Sequence, residues 1–585
     1  MWKPMLPTLT DDIPVGDKWI YEIKYDGFRC GLQWTKEEIK LISRNGKDLT
    51  KQFPEIIAAC QQVHNQIADQ LPLFLDGELV ILRTPYQGIF SKMQQRGRLR
   101  AEAKIAEASM TRPAVVKCFD LLMVKGNSLK STPLIERKER LAGIFDLFDG
   151  QANQLHFVHY QDNVQDLKEL VFLHQCEGII AKEKQSIYTD GLRTPNWYKI
   201  KNYRVIQGVV SGWNPTNDYI DLQVYHEEHL INLGKVKHGF QPEEKQTLIK
   251  FIQKNGEKNR SQWLIKPSIC LDINCLDARD HEIREAVFKQ FRFDLKPEKC
   301  TTNLVQEALA QLPEEVELTK PEKTLFPNIT KLDYLLYLRE IAPFLLPKLI
   351  NKRLTLIRYP DGVHEDSFYQ KHLPDYAPSF IASIDNSDET KSILCQNLAS
   401  LLWFGNHGAL EFHVPFHTID SEDPDEMVFD LDPPSLAQFN LAVMAAHLIK
   451  DIVEDKGFKS YVKTSGQTGL QVHVPLNQNK LTFDQTRAFM KTVAEVIINQ
   501  YPNYFTVERL KKNRKNRLYI DYIQHAPGKT IIAPYSTRAT VEATVATPLF
   551  WEEVNEKLNP KSFTITTVPQ RIIELGCPLV EHSLI

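Results

Sequence analysis

A chain of 585 residues is too long for one hydrophobic core, and at about 150 residues per domain it predicts three or four. Its 42% hydrophobic and 25% charged residues are those of ordinary globular proteins, and no apolar run approaches the roughly 20 residues that span a bilayer. A net charge of −3 excludes a protein that coats nucleic acid with its whole surface, while leaving room for a local basic groove.

Residues 1–10 hold two prolines and no apolar signal core, so the expected location is cytoplasmic. The first strand-like run is 19–24, followed by an Asp-Gly turn signal. Alternation puts Trp19, Tyr21 and Ile23 on one face and Ile20, Glu22 and Lys24 on the other. Lys24 is thus a candidate nucleophile facing a cavity, although a Lys-x-Asp-Gly string also marks many solvated turns.

Further strand-like runs cover 38–43, 73–82, 114–124 and 177–183. Charges are set into these apolar strands or at their ends: Arg44 after one, Glu78 within another, Asp120 beside Phe119, Glu177, and Lys199 with Lys201 on one strand face. Buried strands carry charges when these are paired or functional. Residues 204–298 read as short strand units of a small β-barrel, and 299–316 as a linker in which 304–312 could be a short helix.

The second half, 317–585, mixes helical patterns at 332–345, 436–455 and 484–500 with strands at 426–432, 459–464, 470–476 and 518–523. Asp430 and Asp432 lie two apart on a strand, so both face one side, and Pro433-Pro434 ends the strand. Such a pair repels itself unless a divalent cation intervenes, and Asp521 is the candidate third ligand. Lys463 to Leu470 forms a glycine-bearing turn suited to phosphates. Basic clusters fall at 92–104 (Lys92, Arg96, Arg98, Arg100, Lys104), 199–204 and 511–517. The nine cysteines include no Cys-x-x-Cys pair, and Cys270 with Cys275 lacks the second half of a zinc site, so reduced core cysteines are expected.

The ordered motifs from Lys24 to Lys201 resemble the covalent nucleotidyltransferases, and among them the ATP-dependent DNA ligases. The resemblance implies an α+β multidomain chain: an ATP-grasp-like adenylation domain at 1–203, then an OB-fold β-barrel. It implies that Lys24 takes AMP from ATP, with Glu22, Arg29, Arg44, Glu78, Phe119, Glu177, Lys199 and Lys201 binding the nucleotide, and Glu78 and Glu177 also holding a metal. Arg292 and Asp294 would orient pyrophosphate; the lysine that usually follows the aspartate is displaced to Lys296 by Leu295.

The second half resembles the archaeo-eukaryotic primase superfamily, specifically the polymerase domain of bacterial DNA ligase D. The resemblance runs from Leu318–Lys323 through Arg358–Gly362, Phe368–Lys371 and Leu410–His413 to Ala533–Arg538 and Pro548–Glu553. It implies Mg2+ or Mn2+ on Asp430, Asp432 and Asp521, an incoming nucleotide held by His413, Ser465, Arg514, Gln524 and Arg538, a 5′-phosphate on Lys323 and Lys331, and Phe368 near the template. Gln471 stands where the family commonly has histidine; His473 is equally open to a displaced role or a core role.

Ligase first and polymerase second is the Bacillus-like arrangement, with no room for the phosphoesterase domain of many relatives. The implied task is non-homologous end joining at nucleoid DNA: gap filling, often with ribonucleotides, then sealing, alongside the bacterial Ku protein. Rival readings are an RNA ligase or capping-type enzyme fused to a primase, gap filling in base excision repair, and a non-catalytic end-binding scaffold.

Overall fold

The computed structural model describes residues 2–279, 281–476 and 480–581. The chain forms two compact units, Met1–Leu312 and Pro313–Ile585. In the first, a four-stranded sheet orders Leu6–Leu9, Arg193–Lys201, Gly178–Glu183 and Trp19–Lys24. A second sheet orders Ile39–Ser43, Phe28–Trp34, Leu73–Val80, Val115–Val124 and Asn127–Ser128, with Leu155–Phe157 parallel to Val115–Val124. Strand alternation is kept: Trp19, Tyr21 and Ile23 enter one apolar cluster, and Ile20 another.

Gly27 and Gly178 mark where backbones come too close for a side chain. A Cβ on Gly27 would run into the Leu79 carbonyl, and one on Gly178 into the Ile200 carbonyl. Both glycines flank Lys24, in sequence and across the sheet, so close approach at these two points seats the lysine strand.

The β-barrel is present. Its ring runs His229–Val236, Tyr219–His226, Arg204–Asn214, Cys270–Cys275 and Val287–Phe291. A bridge between His238 and Val287 closes it, with the Phe288 N–H donating to the His238 carbonyl at 2.8 Å. The expected linker is corrected in part. Thr302–Ala310 is a helix capped by Thr301, and its Val305, Ala308 and Leu309 pack into the barrel core. The unit boundary falls at 312/313.

The second unit is built on a six-stranded sheet, Phe505–Thr506, Leu518–Asp521, Glu426–Asp432, Leu470–Pro475, Tyr461–Thr464 and Pro548–Leu549. A four-stranded sheet of Phe368–Gln370, Thr355–Arg358, Ala409–Pro415 and Thr530–Ile532 accompanies it. Helix Lys331–Leu349 is capped by Thr330 and Asp333 and is buried over most of its length, so its apolar residues need no amphipathic pattern. All nine cysteines are free and buried, as expected of reduced core residues. No helix among the described residues is long and apolar enough to cross a membrane.

Arg137 and Asp120 form a fully buried ion pair at 2.7 Å. Arg137→Met strands the carboxylate and should cost the first unit about 3–5 kcal/mol in urea melts. Adding Asp120→Asn should restore most of that; a single variant as stable as the parent would contradict the assignment.

Candidate active sites

A cavity of about 430 Å³ in the first unit collects Glu22, Lys24, Arg29, Arg44, Glu78, Phe119 and Lys199. The Lys24 ammonium donates to Glu177 Oε2 at 2.5 Å. Burial pushes the Glu78 carboxyl up to about 8, against the pull of Lys24 and Arg29. Burial and the neighbouring Lys24 lower Lys199, while burial and Lys199 bring Lys201 down to about 8. Lys24, the Phe119 ring and a cationic rim of Arg44 and Lys199 therefore share one pocket.

Several expected ligands are committed to protein partners. Glu22 is buried between Lys138 and Lys182, each at 2.7 Å; burial opposes its charge, yet the two lysines hold it below the usual carboxylate range. Arg29 grips both oxygens of buried Asp76 at 2.6 and 2.7 Å, and Tyr188 donates to the same carboxylate at 2.7 Å. Held in this way, Arg29 still lines the cavity. Lys201 is paired with Glu285 of the barrel, and barrel Arg284 with Asp26. Arg292 and Asp294 bond to each other at 2.7–2.9 Å, with Asp272 also on Arg292, and neither lines the cavity. Arg96, expected in a basic cluster, is buried on Glu55.

Lys182 is a cavity residue that sequence reasoning passed over. Its ammonium lies 4.3 Å from the ring centres of both Phe119 and Trp197, and burial brings it to about 8. Strand parity with Ile180, which also lines the cavity, was the available signal.

In the second unit, Asp430 and Asp521 are direct cross-strand partners, and Asp432 lies two residues along. Burial raises Asp430, and Asp432 and Asp521 raise it further. Burial likewise raises Asp432, with Arg514 pulling the other way. The three carboxylates thus sense one another. Asp521 Oδ1 accepts the N–H groups of Ile523 and Gln524 at 2.9 Å, and no three His, Cys, Asp or Glu side chains among the described residues are already gathered as an ion site.

Around them, Ser465 Oγ accepts the Gly469 N–H at 3.1 Å and closes the phosphate-type turn. His413 and Arg538 both meet buried Glu411, at 2.9 and 2.7 Å, a carboxylate the motif reading quoted without a role. Arg514 bonds the Glu508 carbonyl and covers the Tyr519 ring, and Gln524 donates to the Thr530 carbonyl. Phe368 is exposed beneath the Arg358 guanidinium. Lys331 departs from expectation: it is buried and bonds Thr319 Oγ1 and the Asn406 carbonyl, each at 3.1 Å. Lys323 is paired with Asp361 at 2.5 Å. His473 takes the core option, held by Glu426 at 3.1 Å and Tyr461 at 3.0 Å.

Comparison with known proteins matches residues 4–201 to the ATP dependent DNA ligase domain and residues 330–579 to the LigD primase-polymerase domain. The bifunctional non-homologous end joining protein LigD of Bacillus subtilis is 38% identical over 99% of this chain and 96% of its own. The chain belongs to the LigD family. Both of its catalytic parts are enzymatic domains of that family, an ATP-dependent DNA ligase and a primase-polymerase. The multifunctional LigD of Pseudomonas aeruginosa is 25% identical over 98% of this chain and 71% of its own. Among solved structures, the polymerase domain of Mycobacterium tuberculosis ligase D in complex with DNA is 27% identical over 46% of this chain and 99% of that chain, with a TM-score of 0.43.

Lys117 stands opposite Glu78 on the neighbouring strand, and burial lowers it from 10.5 to about 8. The folded state then binds fewer protons than the unfolded one between those values, so stability rises with pH across that window. Lys117→Met should be more stable than the parent by ~1–3 kcal/mol at pH 7. The gap should close on moving from pH 8 to 10.5; parallel stability curves over that range would refute this.

Proposed function

We propose that this chain fills short gaps at double-strand breaks with its second unit and seals the resulting nick with its first. The observation that carries the reading is Lys24, 2.5 Å from Glu177 and inside the cavity with Phe119 and Lys199. Lys24 Nζ attacks the α-phosphorus of ATP, a P–N bond forms, and the P–O bond to pyrophosphate breaks. Glu177 Oε2 is in place to take the proton that Lys24 sheds. Phe119 offers its ring to adenine, and Lys199 offsets phosphate charge. AMP then passes to a 5′-phosphate, and a 3′-hydroxyl displaces it. Lys201 joins these contacts once Glu285 gives way.

In the second unit Asp430, Asp432 and Asp521 would hold Mg2+ or Mn2+, and in the first Glu78 and Glu177 would do so. All-oxygen donors suit these hard cations, and carboxylates that raise one another's pKa are stabilised by one. The metal supplies charge neutralisation at the phosphates. Ser465, Arg538 and His413 orient the incoming nucleotide, and Glu411 orients the last two. Ribonucleotide preference, the Ku end-binding partner and a nucleoid location in the cytoplasm follow from the family reading.

On a gapped duplex with a 5′-phosphate, ATP and ribonucleotides, extension should precede sealing. Lys24→Ala should abolish the labelled AMP adduct and sealing while leaving extension. Asp430→Ala with Asp432→Ala should lower extension at least ~10³-fold and leave the adduct. Undiminished extension by that pair would sink the polymerase assignment, and a GMP adduct without an AMP adduct would favour a capping-type enzyme.

A further inference from the structure

A single polar row crosses the six-stranded sheet of the second unit. Lys463, Gln471, Asp430 and Asp521 are successive cross-strand partners on four neighbouring strands. Lys463 is fully buried and Gln471 nearly so. Lys463 Nζ donates to Gln471 Oε1 at 2.5 Å, and Gln471 Nε2 donates to Asp430 Oδ1 at 3.0 Å.

With Lys463 protonated and Asp430 ionised, as it is when it ligates a cation, the two ends of this chain leave the amide one orientation. An ammonium has donors and no acceptor, and an ionised carboxylate has acceptors and no donor. A flipped amide would set Oε1 against the Asp430 carboxylate and two N–H groups against the ammonium. Gln471 therefore presents its N–H to Asp430, engaging Oδ1 and limiting rotation of the carboxylate.

We propose that Gln471 is a positioning residue for Asp430: it holds Oδ1, so that Asp430 offers Oδ2 to the cation, and Lys463 locks the direction of the amide. The inference rests on the reading of Asp430 as a metal ligand. Partners of this kind orient a ligand without touching the ion, and their loss costs metal affinity about 10–100-fold.

The test is Mn2+ titration of the full chain, with free ion read by EPR and the Asp430→Asn isotherm subtracted. Gln471→Leu alone would strand a buried ammonium, so Lys463→Met is combined with it, removing both polar partners together. The double variant should bind the Asp430-dependent Mn2+ about 10–100-fold more weakly while melting within a few degrees of the parent. If it melts early, Lys463→Met alone decides: its freed amide should weaken binding by a smaller factor, and no change would overturn the proposal. Parent-like affinity in the double variant, with binding lost in Asp430→Asn, overturns the role of Gln471 and leaves the metal reading standing. Parent-like binding in Asp430→Asn overturns both.

Discussion

A charge placed on a buried strand must be met by a partner, because taking it from water costs several kcal/mol that only an opposite charge or hydrogen bonds return. Both units are organised around that constraint. In the first, Glu22 sits between two lysines, Asp76 takes Arg29 and Tyr188, and Asp120 takes Arg137. Of these sets, Glu22, Lys182 and Arg29 line the cavity. Lys24 has one carboxylate, and Lys199 lines the space itself. The second unit differs in sign: burial and the neighbouring Asp432 and Asp521 carboxylates all raise Asp430.

Much of this was legible in the sequence where a simple period decides. Strand 426–432 matches Glu426–Asp432, and alternation along 19–24 put Trp19 and Tyr21 in the core and Glu22 and Lys24 at the cavity, although Ile20 joins a second apolar cluster and Ile23 also lines the cavity. What periodicity lacks is the identity of a distant partner. Arg29 and Lys331 carry the chemistry of phosphate ligands, and each also holds a partner, Asp76 and Asn406, 47 and 75 residues away in sequence, that no local pattern announces. The helix Thr302–Ala310 was read largely as linker because nine residues give little pattern, and its apolar side acquires meaning only against the barrel. Gln471 looked like the loss of a histidine until Lys463 and Asp430 were seen at its two ends.

The barrel adds a second layer. At the end of the two-stranded hairpin Asp277–Arg279 and Glu282–Arg284 that accompanies it, Arg284 and Glu285 pair with Asp26 and Lys201, residues of the same motif series as Lys24. Glu285 holds a left-handed backbone at φ 53°, a conformation that costs a non-glycine residue about 1 kcal/mol or more. Partly exposed pairs of this sort weaken with salt, so the hold of the barrel on Asp26 and Lys201 is electrostatic and adjustable.

Asp430 and Asp432 alternate with Phe429 and Leu431, which are fully buried. A one-residue slip of that strand against its neighbours would turn both carboxylates into the apolar layer and bring the two hydrophobic side chains to the open face. Strand registration therefore decides which face the two carboxylates occupy. A single insertion or deletion inside Glu426–Asp432 would displace both carboxylates with every acidic residue still present in the sequence.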